Sequence, residues 1–204
     1  MVIYIILILT IIYLLLFFFI KIRFKFWSIQ PVFHIYKFWY YILTPSIIDN
    51  NKPKINKYVN LKNIEFVNFK EITNKNSERL IKLIKNHYLN EKEIKYKPDK
   101  NNILPYFNDK SYISLYFDNE KIKNNLIGCL TSRILNVNIN NKKFNTFYID
   151  FLCIDTKFRN KGIAPQVIQT HDYQQRNNTE INTSLFKRET NINFIIPLVI
   201  YNTN

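Results

Sequence analysis

An uncharged apolar run near the N-terminus constrains this chain more than any other feature. The run, VIYIILILTIIYLLLFFFI, covers residues 2–20, and a helix needs about 20 such residues to cross a bilayer. Lys21, Arg23 and Lys25 follow it directly, and the positive-inside rule then places the remaining chain in the cytosol. A cleaved signal peptide is disfavoured, because a basic start and a small-residue cleavage site are missing. The sequence therefore predicts a single transmembrane anchor over residues 1–20, with a buried core helix as the minor alternative.

Composition divides the rest of the chain into three parts. Residues 21–49 are rich in aromatic side chains and contain two prolines, a composition that suits the headgroup region next to a membrane span. Residues 50–60 are polar and predict a linker. Residues 61–204 carry the patterns of one domain, and they are numerous enough to bury a single core.

The pattern within residues 61–204 predicts an α+β domain. Apolar runs indicate strands, residues 90–111 are loop-like, and a helix is predicted to begin close to Pro165, where a missing N–H costs nothing. The predicted strands cover residues 63–69, 112–117, 126–139, 144–155, 181–186 and 192–201.

An amphipathic helix is predicted between the first two strands. Ser77 is its candidate N-cap, because a short hydroxyl side chain can accept a hydrogen bond from the first turn. Leu80, Leu83 and Ile84 then fall on one face at helical spacing. His87 continues that apolar stripe, and we interpret it as a packed core histidine.

The charge of the chain is large. It has 29 Lys and Arg residues against 15 Asp and Glu, a net charge of +14. Such a balance attracts anionic lipid, nucleic acid or phosphorylated cofactors without choosing between them. The basic residues are scattered instead of clustering on one face, which disfavours nucleic-acid binding. The histidines, His34, His87 and His171, lack the spacing of metal ligands, so no metal is expected.

The chain has two cysteines, Cys129 and Cys153, and both lie inside apolar strand-like runs. This placement predicts buried thiols in a reducing compartment instead of a disulfide framework. Apolar neighbours argue against a reactive thiolate, so Cys153 is expected to be structural.

The stretch FLCIDTKFRNKGIAP, residues 151–165, joins a strand directly to a helix through a basic loop. It contains Gly162, one of only 2 glycines in the chain. Unpaired N–H groups at the start of a helix, next to Arg159 and Lys161, make a cradle for phosphate. An ordinary strand-to-helix turn with a chance glycine is the alternative, and the residues alone favour neither.

Within this stretch, RNKGIA resembles the pyrophosphate-binding signature of the GNAT superfamily of acyl-CoA-dependent acyltransferases. With its preceding strand, IDFLCIDTKFRNKGIAP resembles the N-myristoyltransferase family, which pairs a Phe-Leu-Cys strand end with an Arg-x-Lys-x-x-Ala-Pro loop. The resemblance implies that the amides of Phe151 and Leu152 form the oxyanion hole for the thioester carbonyl. The cofactor-binding residues that it implies on this segment are Cys153, Ile154, Arg159, Asn160, Lys161, Gly162, Ile163, Ala164 and Pro165.

A second motif lies far from the first. KFWSIQPV is similar to the family's N-terminal Phe-Trp-x-x-Gln-Pro-Val motif, which lies against the acyl-CoA. It implies that Phe26, Trp27 and Gln30 contact the cofactor. The helix ERLIKLIKNHYLNE also falls where the family places its first helix.

The resemblance implies a GNAT-like acyl-CoA N-acyltransferase fold, with a mixed, mostly antiparallel sheet flanked by helices and preceded by one transmembrane helix. It implies direct transfer of an acyl group from acetyl-CoA or myristoyl-CoA to an amine such as a protein N-terminus. Asp150 stands where the family usually has Asn, and a carboxylate there is a candidate acceptor for the amine proton. A solvent-facing or turn-facing carboxylate is the alternative for Asp150.

Three functions follow, in order of preference. The first is a membrane-anchored N-acyltransferase at the cytosolic face. The family's second half, which forms much of the peptide site and ends in a carboxylate that acts as the base, has no counterpart in these residues. The second function is therefore a catalytically degenerate acyl-CoA-binding or membrane-tethered interaction protein. A basic membrane-tethered module that binds anionic lipid or nucleic acid ranks last.

Overall fold

The chain divides into two compact units, one formed by residues 1–50 with residues 188–204 and the other by residues 51–187. The computed structural model describes residues 1–43, 46–89, 96–118, 125–139, 141–187 and 195–196. Most of the secondary structure, including the whole sheet, belongs to the second unit.

The first unit contains the apolar N-terminal run, which forms helix α1, Val2–Arg23. Most of its side chains are exposed, and α1 is the one helix among the described residues that is long and apolar enough to cross a membrane. Its C-terminal end contributes Ile20 to a small cluster with Tyr36 and Ile195. Ile195 also forms an isolated antiparallel bridge with His34. Apart from residues 195–196, the predicted strand over residues 192–201 lies outside the described residues.

The second unit is built on one five-stranded sheet in the order β1-β2-β3-β4-β5. The strands are β1, Ile64–Asn68; β2, Tyr112–Phe117; β3, Leu126–Ile139; β4, Lys142–Ile154; and β5, Ser184–Phe186. The first four pair antiparallel with their neighbours, and β5 pairs parallel to β4. The sheet therefore confirms the prediction of a mixed, mostly antiparallel α+β domain.

Two long helices cover the two faces of this sheet. Helix α2, Asn74–His87, buries Leu80, Leu83 and Ile84 against the face that carries Cys129, Phe151 and Cys153, which we call the α2 face. Helix α4, Ile163–Asn178, packs Ile163 and Val167 against Leu130 and Ile154 on the opposite face, the α4 face. A short helix α3, Lys100–Ile103, and a 3-10 turn, Leu104–Tyr106, lie between α2 and β2.

The start of α2 differs from the prediction. Thr73, not Ser77, is the N-cap, and its hydroxyl accepts a hydrogen bond from the Asn76 N–H at 3.3 Å. Ser77 lies within the first turn, where its own N–H donates to the Thr73 carbonyl. The prediction was wrong because the first turn of α2 carries only polar side chains, and the apolar stripe begins one turn later.

Candidate functional site

A β-bulge interrupts the ladder between β3 and β4 at the predicted site. Leu130 lies opposite Leu152 and Ser132 opposite Ile149, so Thr131 alone faces both Asp150 and Phe151. A bulge of this kind inserts one extra residue and changes which way the following side chains point. As a result, two consecutive residues, Asp150 and Phe151, both place their side chains on the α2 face.

The bulge also fixes the direction of two main-chain amides. The Phe151 N–H donates to the buried hydroxyl of Thr131 at 3.1 Å. The Leu152 N–H points the other way, as the alternation of an antiparallel ladder requires. Asp155 N–H donates to the Ile127 carbonyl at 2.9 Å, so the Leu130–Leu152 pair, three positions along the ladder, is of the non-hydrogen-bonded kind.

The Leu152 N–H therefore points to the edge of β4 on which β5 lies, but β5 pairs with residues nearer the start of the strand. Among the described residues, β5 pairs only with Phe147, Tyr148 and Ile149 of β4. The part of that edge at Leu152 has no strand partner in the described part of the chain. A main-chain donor at an open sheet edge is available for an oxygen acceptor.

The Asp150 carboxylate forms an ion pair with Arg133 of β3. Both carboxylate oxygens lie 3.1 Å from the Arg133 Nε, and the Asp150 side chain is only 7% exposed. Burial raises the pKa of Asp150 above its ordinary value, and the charge and hydrogen bond of Arg133 oppose that rise. The candidate base is therefore neither solvent-facing nor turn-facing.

The loop between β4 and α4 has two residues in the left-handed region. Asn160 has φ 62° and Gly162 has φ 75°. Gly162 is the N-cap of α4, and as a glycine it has no side chain to cap the helix. A Cβ on Gly162 would meet no heavy atom within 4 Å, so the position requires glycine for its conformation and not for space. The first N–H groups of α4 are left for another acceptor.

The second glycine of the chain, Gly128 on β3, lies next to the end of β4 and the start of α4. A Cβ there would lie 2.8 Å from Ile154 Cδ1, 3.3 Å from Tyr116 Cβ and 3.6 Å from Ile163 Cγ2. Ile163 is the first residue of α4. The missing side chain therefore lets the start of α4 pack directly on the sheet, next to the end of β4.

Arg159 ties the loop to helix α2. Its Nε donates to the Ile154 carbonyl at 3.2 Å, and its Nη2 donates to the His87 carbonyl. The His87 ring also holds the loop, because its Nδ1 accepts a hydrogen bond from the Thr156 N–H at 3.2 Å. Its side chain is 21% exposed, so the interpretation of His87 as a packed core histidine was wrong. Lys161 lies over the Phe158 ring.

The structure brings most of the predicted site residues together on one continuous segment. Asp150 to Ile154 form the end of β4, Arg159 to Gly162 form the loop, and Ile163 to Pro165 form the first turn of α4. Cys153 is a buried free thiol whose Sγ lies 3.7 Å from the Leu83 carbonyl oxygen. Pro165 is the third residue of α4, two positions after the first residue of the helix, close to which it was predicted.

The three predicted residues of the second motif belong to the first unit. Phe26 and Trp27 pack edge to face with ring centroids 5.1 Å apart, at the start of a 3-10 turn, Trp27–Ile29. Gln30 ends that turn, and both Phe26 and Gln30 are buried.

Sequence reasoning missed Thr131 and Arg133. Both lie on β3 at the spacing that places them on the same face as Cys129. A polar and a basic residue on the buried face of a strand was a visible signal, but the bulge that brings Asp150 opposite them is a tertiary feature.

Known proteins match this chain in sequence and in fold. The family model "Myristoyl-CoA:protein N-myristoyltransferase, N-terminal domain" matches residues 46–197. A crystal structure of Saccharomyces cerevisiae N-myristoyltransferase with bound myristoyl-CoA matches with a TM-score of 0.54 at 17% identity, covering 79% of this chain and 39% of that one. A second structure of the yeast enzyme with myristoyl-CoA gives a TM-score of 0.53 at 18% identity, covering 79% and 38%. No curated protein sequence matches the chain.

The two yeast structures confirm the predicted GNAT-like fold. The chain spans about two fifths of their length, since it covers 39% and 38% of them. The family match extends from the end of the aromatic segment through β5. The chain therefore belongs to the myristoyl-CoA:protein N-myristoyltransferase family, in which it corresponds to the N-terminal domain.

Proposed function

We propose that this protein is a membrane-anchored N-acyltransferase that moves an acyl group from acyl-CoA to an amine. The observation that carries the proposal is the end of β4, where the Leu152 N–H faces a sheet edge with no strand partner in the described part of the chain and the bulge turns the carboxylate of Asp150, two residues earlier, onto the α2 face. The same strand leads, through a 3-10 turn at Thr156–Phe158 and the basic loop, to the N-cap of α4 at Gly162. Family membership supports the same reaction class.

The donor in this proposal is a coenzyme A thioester. The amides from Asn160 to Ala164 would bind its diphosphate, because a helix N-terminus carries partial positive charge and unpaired N–H groups. The Arg159 N–H already donates to the Thr156 carbonyl at 3.4 Å, and Pro165 has no N–H. The Lys161 ammonium adds charge at that loop. Myristoyl-CoA is the proposed acyl donor, since the yeast enzyme that shares the fold is described with myristoyl-CoA bound. Phe26, Trp27 and Gln30 remain proposed acyl-CoA contacts on the strength of their motif.

The proposed reaction is direct attack by the amine. The Leu152 N–H stabilises the negative charge that develops on the thioester oxygen. The amine nitrogen forms a bond with the carbonyl carbon, the carbon–sulfur bond breaks, and the sulfur leaves as the thiolate of coenzyme A. The Asp150 carboxylate accepts the proton that the amine loses. Cys153 takes no part, because it is buried and packs against the α2 main chain.

The membrane assignments belong to the same proposal. Helix α1 anchors the protein, residues 21–49 lie at the headgroup region, and residues 50–60 link them to an acyl-CoA-binding domain over residues 61–204. The support is the length and apolar character of α1 and the basic residues that follow it. The acceptor is an amine on the cytosolic side, with a protein N-terminus as the proposed class.

Acyl transfer tests the proposal. The full chain in lipid nanodiscs is incubated with myristoyl-CoA and a peptide that has an N-terminal glycine, and the product is measured by mass spectrometry. Asp150→Asn removes the proposed base and is expected to slow transfer by about 10²-fold or more. Asp109→Asn is the matched control, because Asp109 is an exposed carboxylate paired with Lys70. Equal rates in both variants would contradict the role of Asp150.

A degenerate acyl-CoA-binding protein is the second candidate, and one observation favours it. The Phe151 N–H, one of the two amides that the resemblance assigns to the oxyanion hole, is already bonded to Thr131. In this case the full chain binds myristoyl-CoA but forms no acylated peptide, and Asp150→Asn changes nothing that the assay measures.

A further inference from the structure

The ion pair at the bulge has a geometry that confines the Asp150 carboxylate. A single atom, the Arg133 Nε, lies 3.1 Å from both carboxylate oxygens. Arg133 and Asp150 come from adjacent strands, and their side chains meet on the α2 face because the bulge turns Asp150 towards β3. The carboxylate is therefore held from one side, and its position depends on where the guanidinium lies.

The guanidinium is itself held by two aromatic rings. Its central carbon lies 5.7 Å from the centroid of the Tyr106 ring and 5.2 Å from that of Tyr148. Tyr148 is the direct cross-strand partner of Arg133, and Tyr106 belongs to the 3-10 turn after α3. Both distances are within the range of favourable cation–π contact. Arg133 thus has a fixed site, with 28% of its side chain still exposed.

The two residues of the ion pair differ in burial, and Asp150 is the more buried one. Asp150 is nearly buried and would lose its charge more easily without a partner, because burial disfavours the ionised form. Among the described residues, the titratable groups that face Asp150 or its partner are Arg133 itself from β3, Tyr106 from the turn after α3, Tyr148 from β4 and Tyr88, the residue that ends α2, whose hydroxyl lies 3.5 Å from the Asp150 carbonyl oxygen. Among these contacts Arg133 supplies the positive charge.

We propose that Arg133 is a positioning residue for acyl transfer, which holds the Asp150 carboxylate at the bulge and keeps it ionised so that it can accept the amine proton. The inference rests on the proposed function, in which Asp150 is the base. Tyr106 and Tyr148 act through Arg133, because their rings hold its guanidinium in place.

The ionisation of Asp150 can be measured without any activity. The full chain with ¹³C-labelled Asp carboxyl groups is titrated by NMR in detergent micelles, and the Asp150 signal is assigned by its loss in Asp150→Asn. In Arg133→Met the midpoint of the Asp150 titration is expected to rise by about 1 pH unit or more, because an adjacent opposite charge is worth 1–3 units. Arg133→Lys, which restores a charge, is expected to return part of that shift.

Two further variants complete the test. Lys70→Met breaks the exposed Lys70–Asp109 pair and should leave the Asp150 midpoint unchanged. Tyr106→Leu removes a half-exposed ring, keeps the charge of Arg133, and should raise the midpoint in the same direction by a smaller amount. It also keeps the inference testable if Arg133→Met does not fold. An unchanged midpoint in the folded Arg133 and Tyr106 variants overturns the inference.

Transfer kinetics then separate this inference from the proposed function. If the chain transfers acyl groups, the acidic limb of the kcat/KM–pH profile of Arg133→Met should shift to higher pH together with the NMR midpoint. An acidic limb at the same pH as in the wild type overturns the inference. If the chain transfers nothing while the NMR midpoint still moves, the proposed function fails and the hold of Arg133 on Asp150 stands as a property of the fold.

Discussion

The Thr131 hydroxyl accepts the hydrogen bond of the Phe151 N–H across the bulge, at 3.1 Å and with Thr131 fully buried. This hydrogen bond satisfies the Phe151 N–H, which the bulge takes out of the main-chain pairing between β3 and β4. The Phe151 N–H is therefore occupied. The Leu152 N–H points to the other edge of the strand and stays available. Thr131 therefore shapes the site without facing the open edge itself.

Thr131→Val is expected to destabilise the protein. The substitution keeps the size of the side chain but removes the acceptor, and a buried donor without a partner costs about 1–3 kcal/mol. Thr131→Ser keeps the hydroxyl, so the Phe151 N–H should stay protected from hydrogen exchange in that variant and lose protection in Thr131→Val. Chemical unfolding of the two variants measures the difference. Equal stability and equal protection would show that the hydrogen bond does not hold the bulge.

A buried histidine joins α4 to the α4 face of the sheet. The His171 Nδ1 lies 2.8 Å from the Ser114 hydroxyl, and its Nε2 lies 2.8 Å from the Ser132 hydroxyl and 3.1 Å from Gln175 Oε1. Burial lowers the pKa of His171 to about 3, and the Gln175 hydrogen bond opposes that change only in part. The ring is therefore neutral in the folded protein at ordinary pH.

Stability should fall as the pH falls below about 6.5, the ordinary pKa of histidine. Below that pH the unfolded chain binds a proton at His171 that the folded chain does not bind, down to a pKa of about 3. The contribution of His171 to stability is thus present above pH 6.5 and is lost progressively towards pH 3, with a slope that approaches about 1.4 kcal/mol per pH unit.

Chemical unfolding between pH 7 and pH 5 measures this slope. His171→Gln lacks the titrating ring and should show a flatter dependence than the wild type. Asn178→Gln, at an exposed position of the same helix, is the matched control, because it changes no titratable group, and it should leave the slope as it is. A wild-type slope equal to that of His171→Gln would contradict the account.

The two thiols should be unreactive in the folded protein. Cys129 and Cys153 are register partners on β3 and β4, and both are buried and free. The side-chain hydrogen bond with Cys153 and burial both raise the pKa of Cys129, and only the thiolate is a good nucleophile. Iodoacetamide at neutral pH is expected to modify neither cysteine in the native protein and both in denaturant, as read by mass spectrometry. Rapid alkylation of native Cys129 would contradict this packing.

The strands were predictable because they are apolar runs and the segments between them are polar. Residues 112–117 and 126–139 were predicted with the bounds that the structure has. The α2 core residues Leu80, Leu83 and Ile84 were predicted from their helical spacing, because the apolar face of an amphipathic helix is the face that packs against the core.

The features that were missed depend on distant partners. Thr73 was missed as the N-cap of α2 because it lies about two turns before Leu80, where the apolar stripe begins. His87 is held by the loop that follows β4, almost seventy residues later in the chain. The bulge opposite Thr131 and the parallel pairing of β5 likewise arise only when the sheet is assembled.

Binding of myristoyl-CoA to the full chain, measured by calorimetry in nanodiscs, tests the central claim most directly. Gly162→Glu puts a negative charge and a strained left-handed residue into the loop where the diphosphate is proposed to bind. Asn138→Glu places the same charge on an exposed part of β3 as the control.

The account predicts saturable binding to the wild type and to Asn138→Glu. It predicts a loss of affinity of about tenfold or more in Gly162→Glu, which corresponds to 1.4 kcal/mol or more. Absence of binding to the folded wild type, or equal binding to all three proteins, would contradict an acyl-CoA site at the start of α4.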